Sequence, residues 1–380
     1  MIDTEIMIVG AGPTGLALAA ELRRLGTERV AIIDRLAAGA NTSRAAVVHA
    51  RTLEALEAMG ASPMLIEQGL KVPIFRVRDR DRVLITIDFS DIPSDYQFTL
   101  MCPQDRTERI LLDRLEAFGG SVTRPCELVA FAETDGEIHV DLLDNGVARR
   151  IRTRWLVGCD GMHSLVRERS GIAFEGAAYE QSFVLADAQM DWPLSREEVS
   201  LFFSPEGLVV VAALPGDRFR IVATVDQAPE TLSKDFMQAL LDARGPSAMP
   251  GRILDVAWSS RFRIHHRVAQ TPRRGSVLLC GDAAHVHSPA GGQGMNTGIQ
   301  DAVSLASALA QGSKDELDAW AAERHRVASE VVTLTDRMTR VATMKSGAGQ
   351  MVRNAAIAFA GHLPMLRSKL ASRIAELGND

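Results

Sequence analysis

The sequence lacks the patterns that mark several classes of protein. Its 4 cysteines (Cys102, Cys126, Cys159 and Cys280) form no C-x-x-C pair, and without such spacing no metal site is predicted. They lie in or beside predicted strands, which favours reduced thiols in a cytoplasm-like compartment. The net charge of −6 gives the chain no basic face, so nucleic acid is not expected as a partner.

Targeting and membrane segments are also missing. The first residues, MIDTEIMIVGAGPTG, enter an apolar strand at once and contain neither a basic stretch nor a cleavage motif, so a cytoplasmic location is expected. The most apolar late stretch, residues 354–366, is interrupted by Gly361 and Pro364 and is shorter than the ~20 residues that span a bilayer. No transmembrane segment is predicted, and a packed helix and a helix that contacts a membrane surface are both left open.

The chain is long enough for more than one core. Its 380 residues exceed the usual size of a single core, so about two domains, or one domain with an insertion, are expected. Hydrophobic periodicity predicts a strand, a helix and a strand at the start, and alternating antiparallel strands at 71–89 and 182–262. The predicted helices are at 14–25, 50–59, 104–118, near 234–241 and over most of the chain from 293.

The predicted fold class is α/β, with one domain threaded through the other. A Rossmann-like nucleotide-binding domain is expected to interleave with a mainly antiparallel β-sheet domain that binds the substrate, followed by C-terminal helices. The crevice between the two domains is the expected place for a buried ligand. The boundaries are predicted at 1–72, 98–180 and 272–335 for the first domain, 73–97 and 181–271 for the second, and 336–380 for the helices.

Glycines follow the first predicted strand in the pattern G-x-G-x-x-G. Gly10 permits a tight turn, Gly12 lets a pyrophosphate approach the backbone, and Gly15 lets the helix pack on the strand. The N–H groups at the start of that helix favour phosphate. Asp34 ends the next strand, in the position of a ribose-binding acid, so an ADP-bearing dinucleotide is predicted. Arg35 is left open between a grip on a 2′-phosphate, which Asp34 would repel, and a solvated side chain.

A second glycine-rich turn, CGDAAHVHSPAGGQGMN, follows a short apolar strand and opens a long helix. Asp282 ends the strand, where a carboxylate accepts hydrogen bonds from a polyol. Pro289 to Asn296 lead into the helix, whose N-terminal N–H groups stabilise the negative edge of a reduced flavin ring. We therefore predict that a flavin lies here. The two histidines of the turn are expected to be structural.

Together these blocks resemble the single-component FAD-dependent aromatic hydroxylases of the p-hydroxybenzoate hydroxylase type (class A flavoprotein monooxygenases), including the hydroxylases of aromatic polyketide pathways. The intervening block CDGMHSLVR, at 159–167, is similar to the family's second motif residue by residue. The residues that the resemblance assigns to the cofactor are Gly10, Gly12, Pro13, Gly15, Asp34, Arg35, Arg44, Arg51, Gln104, Asp160, Arg167, Gly281, Asp282, Pro289, Gly292, Gly294, Met295 and Asn296.

The resemblance implies a reaction in which the protein supplies no nucleophile. NADPH or NADH reduces FAD, O₂ adds at flavin C4a, and the C4a-hydroperoxide hydroxylates a small aromatic substrate, phenolic or polyketide-like. Water must be excluded, because a wet hydroperoxide decays to H₂O₂. Pro289 is expected to line the reaction site. The resemblance also implies that the flavin moves between two positions, and Gly291, Gly292 and Gly294 are expected to leave room for that motion. No catalytic base is predicted, and packing or surface roles are favoured for the weak candidates Tyr96, Arg218, Arg220, His265 and His266.

Two departures from related proteins bear on this prediction. Many relatives continue into a thioredoxin-like domain, whereas this chain ends after its helices, and the W-x-W-x-I-P motif of flavin halogenases is absent. Three alternatives are left open: an FAD-dependent reductase or dehydrogenase, a ubiquinone-pathway-type hydroxylase on the same fold, and a protein that binds flavin and an aromatic ligand without catalysis. The oligomeric state is open as well, with a homodimer as one alternative.

Overall fold

The structure is a computed structural model that describes residues 3–39, 45–344 and 346–378. The described strands are β1 (Thr4–Val9), β2 (Val30–Ile33), β3 (Val47–Val48), β4 (Leu70–Val72), β5 (Ile74–Asp79), β6 (Arg82–Asp88), β7 (Thr99–Met101), β8 (Val122–Thr123), β9 (Cys126–Thr134), β10 (Glu137–Asp144), β11 (Val147–Gly158), β12 (Phe174–Asp191), β13 (Glu198–Ser204), β14 (Gly207–Ala213), β15 (Arg218–Val225), β16 (Arg252–Ala269), β17 (Arg273–Arg274), β18 (Val277–Leu279) and β19 (His285–Val286). The described α-helices are α1 (Pro13–Arg24), α2 (Ala50–Glu57), α3 (Ala61–Gln68), α4 (Gln104–Ala117), α5 (Leu165–Arg169), α6 (Lys234–Arg244), α7 (Gly294–Gln311), α8 (Lys314–Ala342), α9 (Gly347–Gly361) and α10 (Pro364–Ile374).

The first sheet is the layer expected to bind a nucleotide. β1 lies at its centre and pairs in parallel with β2 and β11, while β18 lies parallel to β11 and β8 parallel to β2. The carboxyl ends of these parallel strands therefore share one edge, where ligands bind in open α/β sheets. α1 and α7 pack together in the same hydrophobic core beside this sheet.

The second sheet is mainly antiparallel. Its order is β19-β16-β12-β15-β14-β13-β5-β6, and β13 and β5 form a parallel pair within it. Its strands come from three separated parts of the chain, so the second sheet is threaded through the first, as the sequence predicted. A small third sheet, in the order β3-β7-β4, lies beside it.

β12 and β16 form a long antiparallel ribbon. Each strand has 18 residues, and the pairing extends from Phe174 opposite Ala269 to Asp191 opposite Arg252. Ala269, at one end, is buried in the hydrophobic core of the first sheet. Further along, the ribbon contributes to the core of the second sheet. One pair of strands thus belongs to both cores.

The helix predicted at 50–59 is shorter than expected and is followed by a helix that the sequence did not reveal. α2 ends at Glu57, and α3 begins at Ala61 after Gly60, which is left-handed (φ 73°). Glycine takes this conformation at little cost. Pro63 lies in the first turn of α3, where the missing N–H has no helical acceptor to lose. Both residue types usually end a helix, and here they lie at the junction of α2 and α3.

The apolar stretch at 354–366 is divided between two helices. α9 ends at Gly361 and α10 begins at Pro364. Gly361 packs on β6, because a Cβ at this position would lie 2.8 Å from the Leu84 carbonyl oxygen. The other side of the pair is open: Phe359 is 68% exposed and Met365 is 85% exposed. One face of this pair of helices therefore packs on the second sheet, and the other is exposed to solvent. Among the described residues no helix is long and apolar enough to cross a membrane.

The chain's last described turn packs onto α7. Glu376 is buried, and its carboxyl group accepts hydrogen bonds from the Gln300 amide and the Thr297 hydroxyl. Burial raises the pKa of Glu376 to about 8. The Ala375 carbonyl also accepts a 3.3 Å hydrogen bond from the N–H of Arg51 on α2. The C-terminal helices are thereby fixed to α2 and α7.

Candidate active site

The two glycine-rich turns meet at Thr14, near the start of α1. A Cβ on Gly281, which is left-handed (φ 60°), would lie 2.6 Å from the Thr14 hydroxyl oxygen, and a Cβ on Gly298 of α7 would lie equally close to it. Both positions therefore require glycine for packing. Their absent side chains bring the start of α1, the end of β18 and α7 into contact.

The first turn is shaped to leave one glycine open. Cβ atoms at Gly10 and Gly15 would overlap the carbonyl oxygens of Cys159 and Gly10, whereas Gly12 has no atom within 4 Å of its Cβ position. Pro13 occupies the start of α1, and the helix has no side-chain cap and no acid in its first turn. An uncapped helix N-terminus beside open backbone fits the phosphates of a dinucleotide.

Asp34 is bonded to the first turn. Its Oδ2 accepts a 2.8 Å hydrogen bond from the N–H of Ala11, and its Oδ1 accepts one of 2.8 Å from the N–H of Leu36. Arg35, next to it, is exposed. Arg124 donates a 2.9 Å hydrogen bond to the Ala11 carbonyl, which places a cation at the turn. Sequence reasoning missed Arg124, because no local pattern connects it with a turn 113 residues earlier.

Gln104 lies at the start of α4 and contacts the same region. Its Nε2 donates to Glu108 at 2.8 Å, and its Oε1 accepts a 3.2 Å hydrogen bond from the N–H of Ala45. Burial raises the pKa of Glu108. Arg51 is half-buried on α2. Arg44, which the sequence also assigned to the cofactor, lies outside the described residues.

The middle block ties the two glycine-rich turns together. Arg167 is buried and donates to the carbonyls of Ala283 (2.9 Å) and Met162 (2.8 Å). Its guanidinium lies 3.8 Å from the centre of the Phe174 ring, and burial lowers its pKa. The Oδ2 of Asp160 accepts a 3.2 Å hydrogen bond from the N–H of Val166. Its buried Oδ1 has no hydrogen-bond partner among the described residues.

The late turn is anchored to β3. The fully buried Asn296 side chain accepts a hydrogen bond from the N–H of His49 (2.8 Å) and donates to the carbonyls of Val47 (2.9 Å) and Gly292 (2.8 Å). A Cβ on Gly292 would lie 2.8 Å from that of Val47, whereas Gly291 has nothing closer than 3.6 Å. Close packing on β3 thus accounts for Gly292. A Cβ on Gly291 would be in ordinary contact with the Gln293 side chain.

The remaining predicted residues of the late turn surround this anchor. Asp282 is exposed, and Pro289 and Gly294 are half-buried. The half-buried Met295 packs against the core that α1 and α7 share. A Cβ on Gly294 would be in ordinary contact with the His287 ring, at 3.8 Å. Like α1, α7 begins without a side-chain cap and without an acid in its first turn.

Asp301, on α7, binds the first residues of the late turn through its carboxylate. Its buried carboxylate accepts hydrogen bonds from the N–H of Gly281 (3.1 Å) and from Arg324 Nε (2.6 Å), and it lies 2.6 Å from His285 Nε2. Burial alone would raise the pKa of Asp301, but the charge of Arg324 and the contact with His285 hold it well below its usual range. Sequence reasoning missed this group, although a lone acid in an apolar, alanine-rich helix was a signal.

The structure describes the surroundings of three of the weak candidates for a catalytic base, Tyr96, Arg220 and His265. Burial, followed by the neighbouring Glu57, raises the pKa of Tyr96 to about 12, so its phenol stays protonated near neutral pH. Arg220 forms a buried two-point ion pair with Asp187, at 2.7 and 2.8 Å. Burial lowers the pKa of His265.

These features fit FAD. An open glycine and an uncapped helix face the expected phosphates, and a second uncapped helix, with an exposed carboxylate before it, adjoins them through Thr14. Together with the parallel sheet, this arrangement defines a dinucleotide-binding flavoprotein.

Comparison with known proteins identifies the family. The model of the FAD binding domain family matches residues 3–335, so the chain belongs to that family. It is 37% identical to 6-methylpretetramide 4-monooxygenase of Streptomyces rimosus, over 97% of this chain and 68% of that protein. Pentachlorophenol 4-monooxygenase of Sphingobium chlorophenolicum is 34% identical, over 89% of this chain and 65% of that protein. The chain thus spans about two thirds of these relatives.

A solved structure shows the same fold. Anhydrotetracycline hydroxylase from Streptomyces rimosus superimposes with a TM-score of 0.83 at 30% identity, over 98% of this chain and 76% of that one. The chain is accordingly an FAD-dependent monooxygenase of the aromatic hydroxylase type. The predicted family, fold class and flavin cofactor are confirmed.

Proposed function

We propose that the chain uses NADPH or NADH to hydroxylate an electron-rich aromatic compound, phenolic or polyketide-like, with FAD held between the two glycine-rich turns. The names of the similar proteins given above, which refer to 6-methylpretetramide, pentachlorophenol and anhydrotetracycline, support this substrate class. The observation that carries the proposal is the partly open apolar face of the second sheet.

The two faces of the second sheet differ in burial. On the face toward α6, residues such as Val209 and Val211 are fully buried. On the other face, Leu201, Val210 and Val222 stand side by side on β13, β14 and β15 and are only half-buried. Apolar side chains in the middle of a sheet are normally covered. A half-covered apolar strip therefore favours a chamber for a flat apolar ligand.

The strip belongs to a hydrophobic cluster that extends to β3, next to the late turn. Its side chains share a hydrophobic cluster with Ala46 and Val47, and Val47 in turn contacts Gly292 and Asn296. A ring lying on the strip would thus be close to the helix start where the flavin is expected. The apolar walls would keep water from the site, which the reaction requires.

The residues of the site divide the work of holding the cofactor. We assign the phosphates to Gly12 and the start of α1, the ribose to Asp34, the ribityl chain to Asp282, and the ring to the start of α7 beside Pro289. Bound FAD would supply hydride uptake from NAD(P)H, reaction of C4a with O₂, and oxygen transfer to the ring. We assign residues 1–72, 98–180 and 272–335 to the FAD-binding domain, and 73–97 and 181–271 to the substrate domain, followed by the helices of 336–380.

A panel assay tests the proposal. The purified protein, expected to be yellow, is mixed with phenols, quinones and polycyclic aromatics, and the oxidation of NADPH and NADH, the uptake of O₂ and the release of H₂O₂ are recorded. We expect at least one aromatic compound to accelerate NAD(P)H oxidation and to yield a product that carries one added oxygen atom. Mass spectrometry of products formed under ¹⁸O₂ identifies the source of that atom.

The same assay separates the alternatives. A reductase or dehydrogenase would convert its substrate without adding an atom from O₂. A panel in which NAD(P)H oxidation is accelerated but every product lacks ¹⁸O would refute the proposed hydroxylation. A ubiquinone-pathway-type hydroxylase would respond to prenylated phenols and not to polycyclic compounds.

A further inference from the structure

Two of the 4 cysteines stand next to each other at the carboxyl edge of the first sheet. β11 and β18 are parallel neighbours, with Val157 opposite Leu278 and Gly158 opposite Leu279. The next residues in this register are Cys159 and Cys280. The N–H of Cys280 donates a 2.9 Å hydrogen bond to the Gly158 carbonyl, so the register continues to this pair.

The backbone spacing suits a disulfide. Neighbouring strands lie about 4.8 Å apart, within the Cα separation of roughly 4.4–6.8 Å that a disulfide bridges. The two thiols interact: burial, followed by the neighbouring Cys159 thiol, raises the pKa of Cys280. The other cysteines are placed elsewhere, since Cys102 follows β7 and Cys126 begins β9.

The two thiols differ in access. Cys280 is 1% exposed, whereas Cys159 is half-buried. A small oxidant therefore reaches Cys159 first, and Cys280 is the only described thiol beside it. Such an arrangement, an accessible thiol with a second one next to it, is typical of cysteines that oxidise reversibly.

We propose that Cys159 and Cys280 form an oxidation site that hydrogen peroxide closes to a disulfide. The Cys159 thiolate attacks the peroxide, its sulfur is oxidised to a sulfenic acid, and the O–O bond breaks to release hydroxide, which takes up a proton to give water. The Cys280 sulfur then displaces the sulfenic oxygen, which leaves as a second water. Two thiols together lose two electrons, and one peroxide molecule gains them.

The site lies directly under both glycine-rich turns. Gly10 packs on the Cys159 carbonyl, and a Cβ on Gly15 would lie 3.3 Å from that of Cys159. On the other strand, Cys280 is followed by Gly281, the residue that contacts Thr14. A disulfide here would covalently link the segments that pack against the two glycine-rich turns assigned to FAD. Peroxide is also the product expected when a flavin monooxygenase turns over without transferring oxygen.

Thiol counting and peptide mapping test the proposal on the full chain. The FAD-loaded protein and its apo form are treated with a small excess of hydrogen peroxide, denatured, and alkylated with N-ethylmaleimide. We expect 2 of the 4 cysteines to escape alkylation, a non-reducing digest to contain one linked peptide joining Cys159 to Cys280, and dithiothreitol to restore all 4 alkylations.

Matched variants define the pair. Cys159→Ser should leave all three remaining cysteines open to alkylation after peroxide. Cys280→Ser should give no linked peptide and should leave Cys159 as a sulfenic acid that dimedone traps. The control Cys102→Ser should still lose two alkylations. The wild-type peptide map decides the question if a variant does not fold. Full alkylation of the treated wild type in both forms, a sulfinic acid on Cys159 without a link, or a linked peptide that contains Cys102 or Cys126 would each overturn the proposal.

Discussion

The contact between Thr14 and Gly298 joins the two halves of the proposed FAD site, and Gly298→Ala tests it. The added Cβ would lie 2.6 Å from the Thr14 hydroxyl oxygen and 3.2 Å from the Gly281 Cα. Rotation of the Thr14 side chain does not relieve the second contact, because the Gly281 Cα at 3.2 Å belongs to the backbone. α7 must therefore move away from α1 by several tenths of an ångström.

The magnitude follows from two opposing contributions. Overpacking of this severity costs about 2–3 kcal/mol, and alanine in place of glycine inside a helix returns about 1 kcal/mol. We expect a net loss of about 1–2 kcal/mol in the free energy of unfolding. If the moved turn costs FAD binding a similar amount, the dissociation constant of FAD rises by roughly five- to thirtyfold.

Fluorescence titration of the apoprotein with FAD, together with urea denaturation, measures both effects. Gly298→Ala combined with Thr14→Ala should recover most of the affinity, since the overlapping oxygen is gone. Gly347→Ala, where nothing lies within 4 Å of the new Cβ, is the matched control and should bind FAD like the wild type. Normal FAD binding by Gly298→Ala, or no recovery in the double variant, would refute the reasoning.

Three further predictions concern single groups. Gly12→Val should release FAD while the apoprotein keeps its stability within about 0.5 kcal/mol, because the new side chain enters open space; a yellow variant would contradict the phosphate assignment. Asp301→Asn should lower the free energy of unfolding, measured by urea denaturation, by about 3–5 kcal/mol, because it leaves the Arg324 guanidinium buried without its carboxylate partner. The lowered pKa of Asp301 also means that the wild type loses part of its stability as pH falls below about 4, and the variant should not show this loss. Burial raises the pKa of Glu376 to about 8, so between about pH 5 and 8 the folded state holds a proton that the unfolded state has lost. The free energy of unfolding should therefore fall as pH rises through this range, by up to about 1.4 kcal/mol per pH unit. Glu376→Gln should lack this slope, and an unchanged slope in the variant would be inconsistent with a buried, neutral carboxyl group.

Local patterns in the sequence predict the parts of the site that adjoin them in the chain. The G-x-G-x-x-G spacing and Asp34 lie within one βαβ unit, and the structure joins them by a hydrogen bond to Ala11. Residues brought in from far along the chain were beyond such reasoning. Arg124 reaches Ala11 across 113 positions, and Asn296 reaches the backbone of Val47 across 249.

Glycines show why a sequence pattern alone does not identify what requires them. The sequence attributes the missing side chains of the late turn to a flavin ring and its motion. The structure instead places Gly281 and Gly298 against Thr14, and Gly292 against Val47. A glycine that lets two segments of chain touch has the same sequence signal as one that admits a ligand, because both require the absence of Cβ. Only the three-dimensional neighbours distinguish them.

The ribbon of β12 and β16 limits how the two layers can move. At about 3.3 Å per residue, strands of 18 residues span roughly 60 Å, and they are hydrogen-bonded to each other and anchored in both cores. This ribbon resists a hinge motion between the two sheets, because bending it would strain many backbone hydrogen bonds at once. Large excursions during turnover should therefore fall to loops and to the cofactor itself, with the two halves of the protein acting as a stiff frame around them.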